Sequence, residues 1–322
     1  MHIMEGFLPL EWAIFWFIVS LPFLAWGALR IKRLFADKPD AKLTVAVSAA
    51  YMFVLSALKL PSVAGSSSHP TGSGLSTIFY GVGVTSLLAS IVLIFQALLL
   101  AHGGITTLGA NIFSMGIAGP AVAYLAFKSM QKVNVSMSIS VFITAFLADI
   151  CTYIMTSLQL ALAYPSNGSI LTSFQAFFAI FAITQVPLAI AEGVLLVIFF
   201  NFLAESKPDL LKGVIKNPTP SIKGNRNKIV ASAVLMILGI AVIANAAIGL
   251  LGTDDRGQEL IQQIDPNYEP WFSSFFEPDE QLEIALFAIQ ALIGLSIIAF
   301  FAIYLKRNKG GREPEKMESQ IT

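Results

Sequence analysis

The sequence predicts an all-α polytopic membrane protein, and three observations carry that reading. Hydrophobic residues make up 56% of the 322 and charged residues only 12%, against roughly 45–50% and 25% in soluble globular chains. The mean hydropathy is +0.74, which leaves too few charges to wet a soluble surface. Apolar stretches long enough to cross a bilayer, about 20 residues each, recur along the chain. Lys+Arg and Asp+Glu balance at 20 each, so no nucleic-acid partner is indicated. The one cysteine, Cys151, excludes an internal disulfide framework and reads as a small buried side chain.

Clear spans fall at Pro9–Arg30, Leu43–Leu60, Gly81–Ala101, Leu108–Phe127, Val135–Tyr164, Leu171–Leu203, Ile229–Leu251 and Ile284–Leu305. Arg30, Lys32, Arg33, Lys38 and Lys42 place the loop after the first span in the cytoplasm and Met1 outside. With these spans alone, the Lys128/Lys132 loop would face outward. So would the linker holding Lys207, Lys212, Lys216, Lys223, Arg226 and Lys228. One further crossing between Leu60 and Gly81 restores both, and the only candidate is Leu75–Val84, short and flanked by Thr71-Gly72-Ser73-Gly74. A short, broken helix is tolerable at membrane depth where it is buried in protein or lines a cavity.

The resulting nine spans divide into a seven-span unit over residues 1–203, a cytoplasmic linker over 204–228 and a two-span helical hairpin over 229–322, which looks like two subunits fused through a tether. The hairpin's outer loop, 252–283, carries nine of the twenty acidic residues and a single Arg. The expected location is the cell's inner/plasma membrane, with the N-terminus outside and the C-terminus cytoplasmic.

On this topology all three histidines, His2, His69 and His102, fall on the outer side. A free amine at Met1, the residue-2 amide nitrogen and the His2 imidazole can form fused chelate rings around one metal ion. Closed by a further imidazole, such a set suits square-planar nitrogen coordination of Ni(II), Cu(II) or a constrained Co(II). His69, in the small-residue loop Gly65–Pro70, is the best fourth ligand. His102 either orients a ligand through a hydrogen bond or is an interfacial histidine. Retention of Met1 is expected, because a bulky second residue disfavours trimming and no signal-peptide pattern precedes the first span.

Four acids lie in or beside apolar spans. Glu5 and Glu11 sit near the outer interface, whereas Asp149 and Glu192 are deep and costly to bury. Glu192 reads equally as a structural hydrogen-bonding group and as a group near the substrate path. The small-residue run Ala46–Ala50 suits close helix contact, within the chain or with a partner. No phosphate-binding Gly-x-x-x-x-Gly-Lys, His-Glu-x-x-His or Gly-x-Ser-x-Gly occurs, so the chain is expected not to be an enzyme and transport needs energy from elsewhere.

Met1-His2-Ile3-Met4-Glu5-Gly6-Phe7-Leu8-Pro9, the stretch Gln96–Asn111 and Thr184–Gly193 resemble the cobalt-capture subunit CbiM of energy-coupling-factor transporters. The remainder resembles its two-span partner CbiN, through Pro266–Phe272 and Leu286–Ala291, with Glu277-Pro278-Asp279-Glu280 departing from the expected Glu-Pro-Pro-Ser. The resemblance implies an ion held by the amine of Met1, the amide and imidazole of His2, and His69. It implies a coupling subunit meeting Ala46 and Ala50, two ATPases on separate chains, and an outer loop acting on the metal-loading segments. Glu5 and His102 are candidates for supporting the ligands. The transported ion that the resemblance implies is Co²⁺, supplying cobalamin synthesis, with Ni²⁺ the close rival; no cofactor is implied. A membrane metalloenzyme using the three histidines as zinc ligands, with Glu5 as base, is a remote third reading.

Overall fold

Lipid offers no water to unpaired backbone groups, so a chain this apolar satisfies them within helices. The structure, a computed structural model, describes residues 2–58, 68–220 and 253–307. Among these residues the long elements are all helical. In chain order they are α1 Leu10–Asp37, α2 Ala41–Ala57, α3 Ser73–Tyr80, α4 Val82–Leu99, α5 Leu108–Ile112, α6 Gly119–Lys132, α7 Met137–Ala163 and α8 Ile170–Ser206. Two more follow, α9 Thr253–Ile264 and α10 Glu280–Arg307. Six helical stretches are long and apolar enough to cross a membrane, and α2 is a shorter apolar helix. Met1, residues 59–67 and the expected span Ile229–Leu251 lie outside the described residues.

The expected crossing at Leu75–Val84 needs correction. Its helix, α3, starts two residues earlier and stops at Gly81, and Val82–Val84 already belong to α4. Eight residues rise only about 12 Å, so α3 alone cannot span. The non-helical segment 68–72 precedes it, buried throughout. The expected span Leu108–Phe127 is also not a plain helix. A π-helical stretch, Phe113–Ala118, separates α5 from α6; Pro120 has no N–H for the carbonyl of Gly116, and the wider turn absorbs the mismatch.

α7 and α8 form the largest antiparallel pair, with the Tyr153 and Phe181 rings 6.4 Å apart and Gly193 against Phe142. α10 lies along α2, where Gly294 packs on Ala50 and Val54. Small residues on both surfaces let the two backbones approach. The opposite surfaces are apolar and uncovered: Ile183 is 70% exposed and Leu125 68%. Such a surface is tolerable where lipid is the solvent.

Candidate metal centre

Residues 2–8 cross one end of the bundle as non-helical chain that turns at Glu5–Gly6, and each stretch of them is tied to a different element. The Ile3 N–H donates to Asn111 Oδ1 at 2.9 Å and the Asn111 amide donates back to the Ile3 carbonyl at 3.1 Å. Thr107 Oγ1 donates to the same carbonyl at 2.7 Å, and the Gly6 N–H donates to Thr106 Oγ1 at 3.1 Å. The Glu5 carboxylate accepts from the backbone N–H groups of Ile105, at 2.6 Å, and Thr106, at 2.9 Å, and from the Thr106 hydroxyl. Glu5 therefore fixes the loop after His102 to the N-terminal segment. Most of the polar residues in the stretch 96–111 face this segment.

Three successive carbonyls are then held by aromatic donors. Tyr268 Oη donates to Gly6 O at 2.8 Å, Tyr164 Oη to Phe7 O at 2.5 Å and Trp271 Nε1 to Leu8 O at 2.8 Å. Two of the three donors come from the loop between α9 and α10. Burial pushes the Tyr268 hydroxyl above the usual phenol range, and Glu11 and Asp265 push it the same way against the Tyr164 hydrogen bond. It stays a protonated donor at neutral pH. A hydrogen bond of this kind contributes about 0.5–1.5 kcal/mol. Joint replacement of Tyr268 and Trp271 by phenylalanine is expected to speed amide exchange at Ile3 and Gly6 by about tenfold or more, read by hydrogen-exchange mass spectrometry.

This bracing brings His2, His69 and His102 together. Their rings lie 4.8–5.2 Å apart, centroid to centroid, and one nitrogen of each falls within 4.8 Å of the others. All three are buried, at 1–3% exposure. Gly103, at φ +77°, lies against the His2 side chain, where a side chain of its own would crowd the ring. The proton positions follow from the partners. His69 Nδ1 lies 2.9 Å from the Pro70 carbonyl, which can only accept, so Nδ1 carries the hydrogen and Nε2 keeps the lone pair. Gln96 directs its amide nitrogen at the Ser56 carbonyl, at 3.5 Å, and its Oε1 at His2 Nε2, at 3.2 Å. His2 Nε2 is thereby the donor, and Nδ1 holds the lone pair. Nδ1 is the nitrogen that closes a chelate ring with its own backbone amide.

His102 belongs to the cluster, which the sequence left open; its ring also meets Phe287 of α10 at 5.6 Å. A cavity of about 20 Å³, the size of one water, reaches His2 beneath Gly257, Gln258 and Ile261 of α9. Glu192 is a structural acid. It accepts from the Thr71 N–H at 2.8 Å and from the Thr71 hydroxyl, and from the backbone N–H groups of Gly72 and Gly74. Its oxygens cap the N-terminus of α3. The Tyr153 hydroxyl donates to the His69 carbonyl at 3.0 Å, and Ser68 and Thr184 share a hydrogen bond at 2.8 Å. The segment 68–72 thus keeps its polar groups satisfied within the bundle and presents His69. Of the two residues implied to meet a coupling subunit, Ala46 is exposed, whereas Ala50 is covered by Gly294 of the chain's own α10.

Fold and site define a multi-pass helical membrane protein with a buried, all-imidazole cluster suited to a borderline transition-metal ion. The family model described as the cobalt uptake substrate-specific transmembrane region, CbiM, matches residues 2–210. That for the cobalt transport protein component CbiN matches residues 224–315. The chain belongs to the CbiM family and carries a CbiN component in the same polypeptide.

A putative cobalt transport protein CbiM of Archaeoglobus fulgidus is 56% identical over 217 residues, 66% of this chain and 99% of the relative. The cobalt transport protein CbiM of Carboxydothermus hydrogenoformans is 56% identical over 204 residues, 63% of this chain and 83% of the relative. A crystal structure of a truncated transition metal transporter matches with a TM-score of 0.52 at 27% identity, covering 64% of this chain and 99% of that one.

Proposed function

We propose that the chain is the substrate-capture component of an energy-coupling-factor importer for Co²⁺, serving cobalamin synthesis. The ion is held by the Met1 amine, the His2 amide nitrogen, His2 Nδ1 and His69 Nε2, with His102 beside them. The observation that carries this reading is the hydrogen bonding of the two rings: His2 Nε2 meets Gln96 Oε1 and His69 Nδ1 meets the Pro70 carbonyl, and these are the nitrogens that the chelate does not use. Glu5, Asn111 and Gln96 hold the ligating segment in place, a role that outer partners of metal ligands commonly fill.

In this reading the histidine end faces outside, the C-terminus is cytoplasmic, and the acidic loop 252–283 gathers divalent cations and seats the N-terminal segment. The linker 204–228 runs through the cytoplasm. A transmembrane coupling subunit and two ATPase chains supply the energy, and the exposed Ala46 surface of α2 is where the coupling subunit docks. Ni²⁺ is the rival cargo, because a square-planar nitrogen set suits nickel at least as well; competition between labelled Co²⁺ and Ni²⁺ orders the two.

The chelate itself is tested by length. One residue added ahead of Met1 moves the amine out of the ring and is expected to weaken Co²⁺ binding by about 100-fold, roughly 2.7 kcal/mol. The same addition at the C-terminus leaves binding unchanged. Retained binding in the N-terminally extended protein, measured by calorimetry, would discard the chelate.

A further inference from the structure

The end of the bundle opposite the imidazoles carries a basic cleft. α7 connects the two ends: Tyr164, just past its last residue, meets the Phe7 carbonyl, and its 27 residues put Met137 about 40 Å away. Beyond α8 a 3₁₀ turn, Pro208–Leu211, leads to Gly213 at φ +77°, and the chain turns back against the end of α6. Leu211 and Ile215 are buried in the cluster that holds Phe127 and Leu203, so the returning segment is packed into the bundle. The Lys216 N–H donates to Gln131 Oε1 at 2.9 Å, and Lys216 Nζ donates to Asn134 Oδ1 at 3.0 Å. A cleft of about 420 Å³ remains between them, lined by Lys128, Gln131 and Lys132 of α6 and by residues 213–216. That volume lies in the range of about 300–1,000 Å³ found for small-ligand pockets.

The chemistry of the lining is one-sided. Lys128, Lys132 and Lys216 bring three ammonium groups to one cleft, and among the described residues none of them is in an ion pair. Asp209, the acid of the 3₁₀ turn, is taken by Lys212 at 2.6 Å. The side-chain acceptors are spent too: Gln131 Oε1 and Asn134 Oδ1 both receive from Lys216, while Gln131 Nε2 is left without an acceptor. Donors and positive charge in excess of acceptors suit a ligand that is anionic and can only accept. A phosphate group is both.

Position narrows the ligand further. Leu125, Lys128 and Lys132 follow one another at i, i+3 and i+7, so they share a face of α6. Leu125 and Val122 are exposed on the apolar surface, and the lysines stand one and two turns further on. Lys128 Nζ lies 5.2 Å from the centroid of the Tyr124 ring, an aromatic type enriched at headgroup depth. We infer that the cleft holds the phosphate of an anionic membrane lipid, whose acyl chains lie along Leu125 and Val122. Basic pockets between helices on the cytoplasmic side are suited to such headgroups. Free phosphate presents the same oxygens but makes no use of the apolar stripe. Placing the lipid in the cytoplasmic leaflet rests on the import reading above; the cleft and its charge do not.

The test titrates phosphatidylglycerol into the full-length protein in a neutral detergent and follows bound lipid by native mass spectrometry. One tightly bound phosphatidylglycerol per chain is expected, with phosphatidylcholine bound far less. Joint Lys128→Gln, Lys132→Gln and Lys216→Gln should weaken it by about 100-fold, and the corresponding Lys→Arg variant should retain it. Lys32→Gln, Lys38→Gln and Lys42→Gln, at the same end of the bundle but outside the cleft, should leave it unchanged. Equal weakening by the two glutamine sets overturns the cleft in favour of diffuse surface charge. Phosphatidylglycerol bound no better than phosphatidylcholine overturns the proposal and leaves the cleft to a protein partner. Inorganic phosphate that displaces the lipid stoichiometrically at equal concentration overturns the lipid assignment in favour of free phosphate. Failure of the import reading shows elsewhere, as absent Co²⁺ binding in the unaltered chain; Co²⁺ affinity should be the same in the cleft variants.

Discussion

Alanine in place of His2 is expected to abolish Co²⁺ capture at micromolar metal. The substitution removes an imidazole ligand and strands Gln96 Oε1, which faces His2 Nε2 at 3.2 Å in a fully buried position. Loss of the ligand together with an unpaired buried acceptor should weaken binding by at least about 1,000-fold, roughly 4 kcal/mol. Equilibrium dialysis with labelled cobalt reads the affinity, and a thermal unfolding curve in detergent verifies that the bundle survives. Binding within threefold of the unaltered protein would remove His2 from the site. Gln96→Leu should act in the same direction but more weakly, by about 10- to 100-fold, since it only releases the ring from its orientation.

The second large effect is structural. Glu192→Leu deprives the Thr71, Gly72 and Gly74 N–H groups of their acceptor in a place water does not reach. Each unpaired buried donor costs about 1–3 kcal/mol, so the whole change approaches the stability of a typical domain. The expected outcome is loss of the cooperative unfolding transition, or a transition lowered by more than about 10 °C, together with loss of metal binding because His69 hangs on the same segment. Glu192→Gln, which keeps one acceptor oxygen, should fall between. A Glu192→Leu protein as stable as the original would mean that α3 is held by its side chains alone.

The sequence was most informative where chemistry is rare. Three histidines and a few intramembrane acids stand out against an apolar background, so His2 and His69 could be paired before any coordinates. The charge distribution asked for a crossing near α3; the structure puts a buried helix there, Ser73–Tyr80, that is too short to span a bilayer by itself. What could not be read was which way apolar helices face. Lipid is as apolar as a protein core, so hydropathy does not distinguish a residue packed inside from one against acyl chains.

For that reason Ala50, under Gly294, and Ala46, exposed on the same helix, looked alike. His102 was equally opaque. Its place in the cluster depends on where α4 ends and on Phe287, some 185 residues later in the chain. Glu192 as the acceptor for the α3 N-terminus became visible only once the 68–74 segment had a path.

The tie between Tyr268, Trp271 and the carbonyls of Gly6 and Leu8 joins the two extremities of one polypeptide. Were the CbiN component a separate molecule, its encounter with the amino-terminal segment would depend on how densely both populate the bilayer. On a shared tether, the local concentration is set by the linker and stays the same at any expression level. Each copy therefore carries its own CbiN component in a fixed one-to-one ratio, and dilution in the membrane plane cannot separate them.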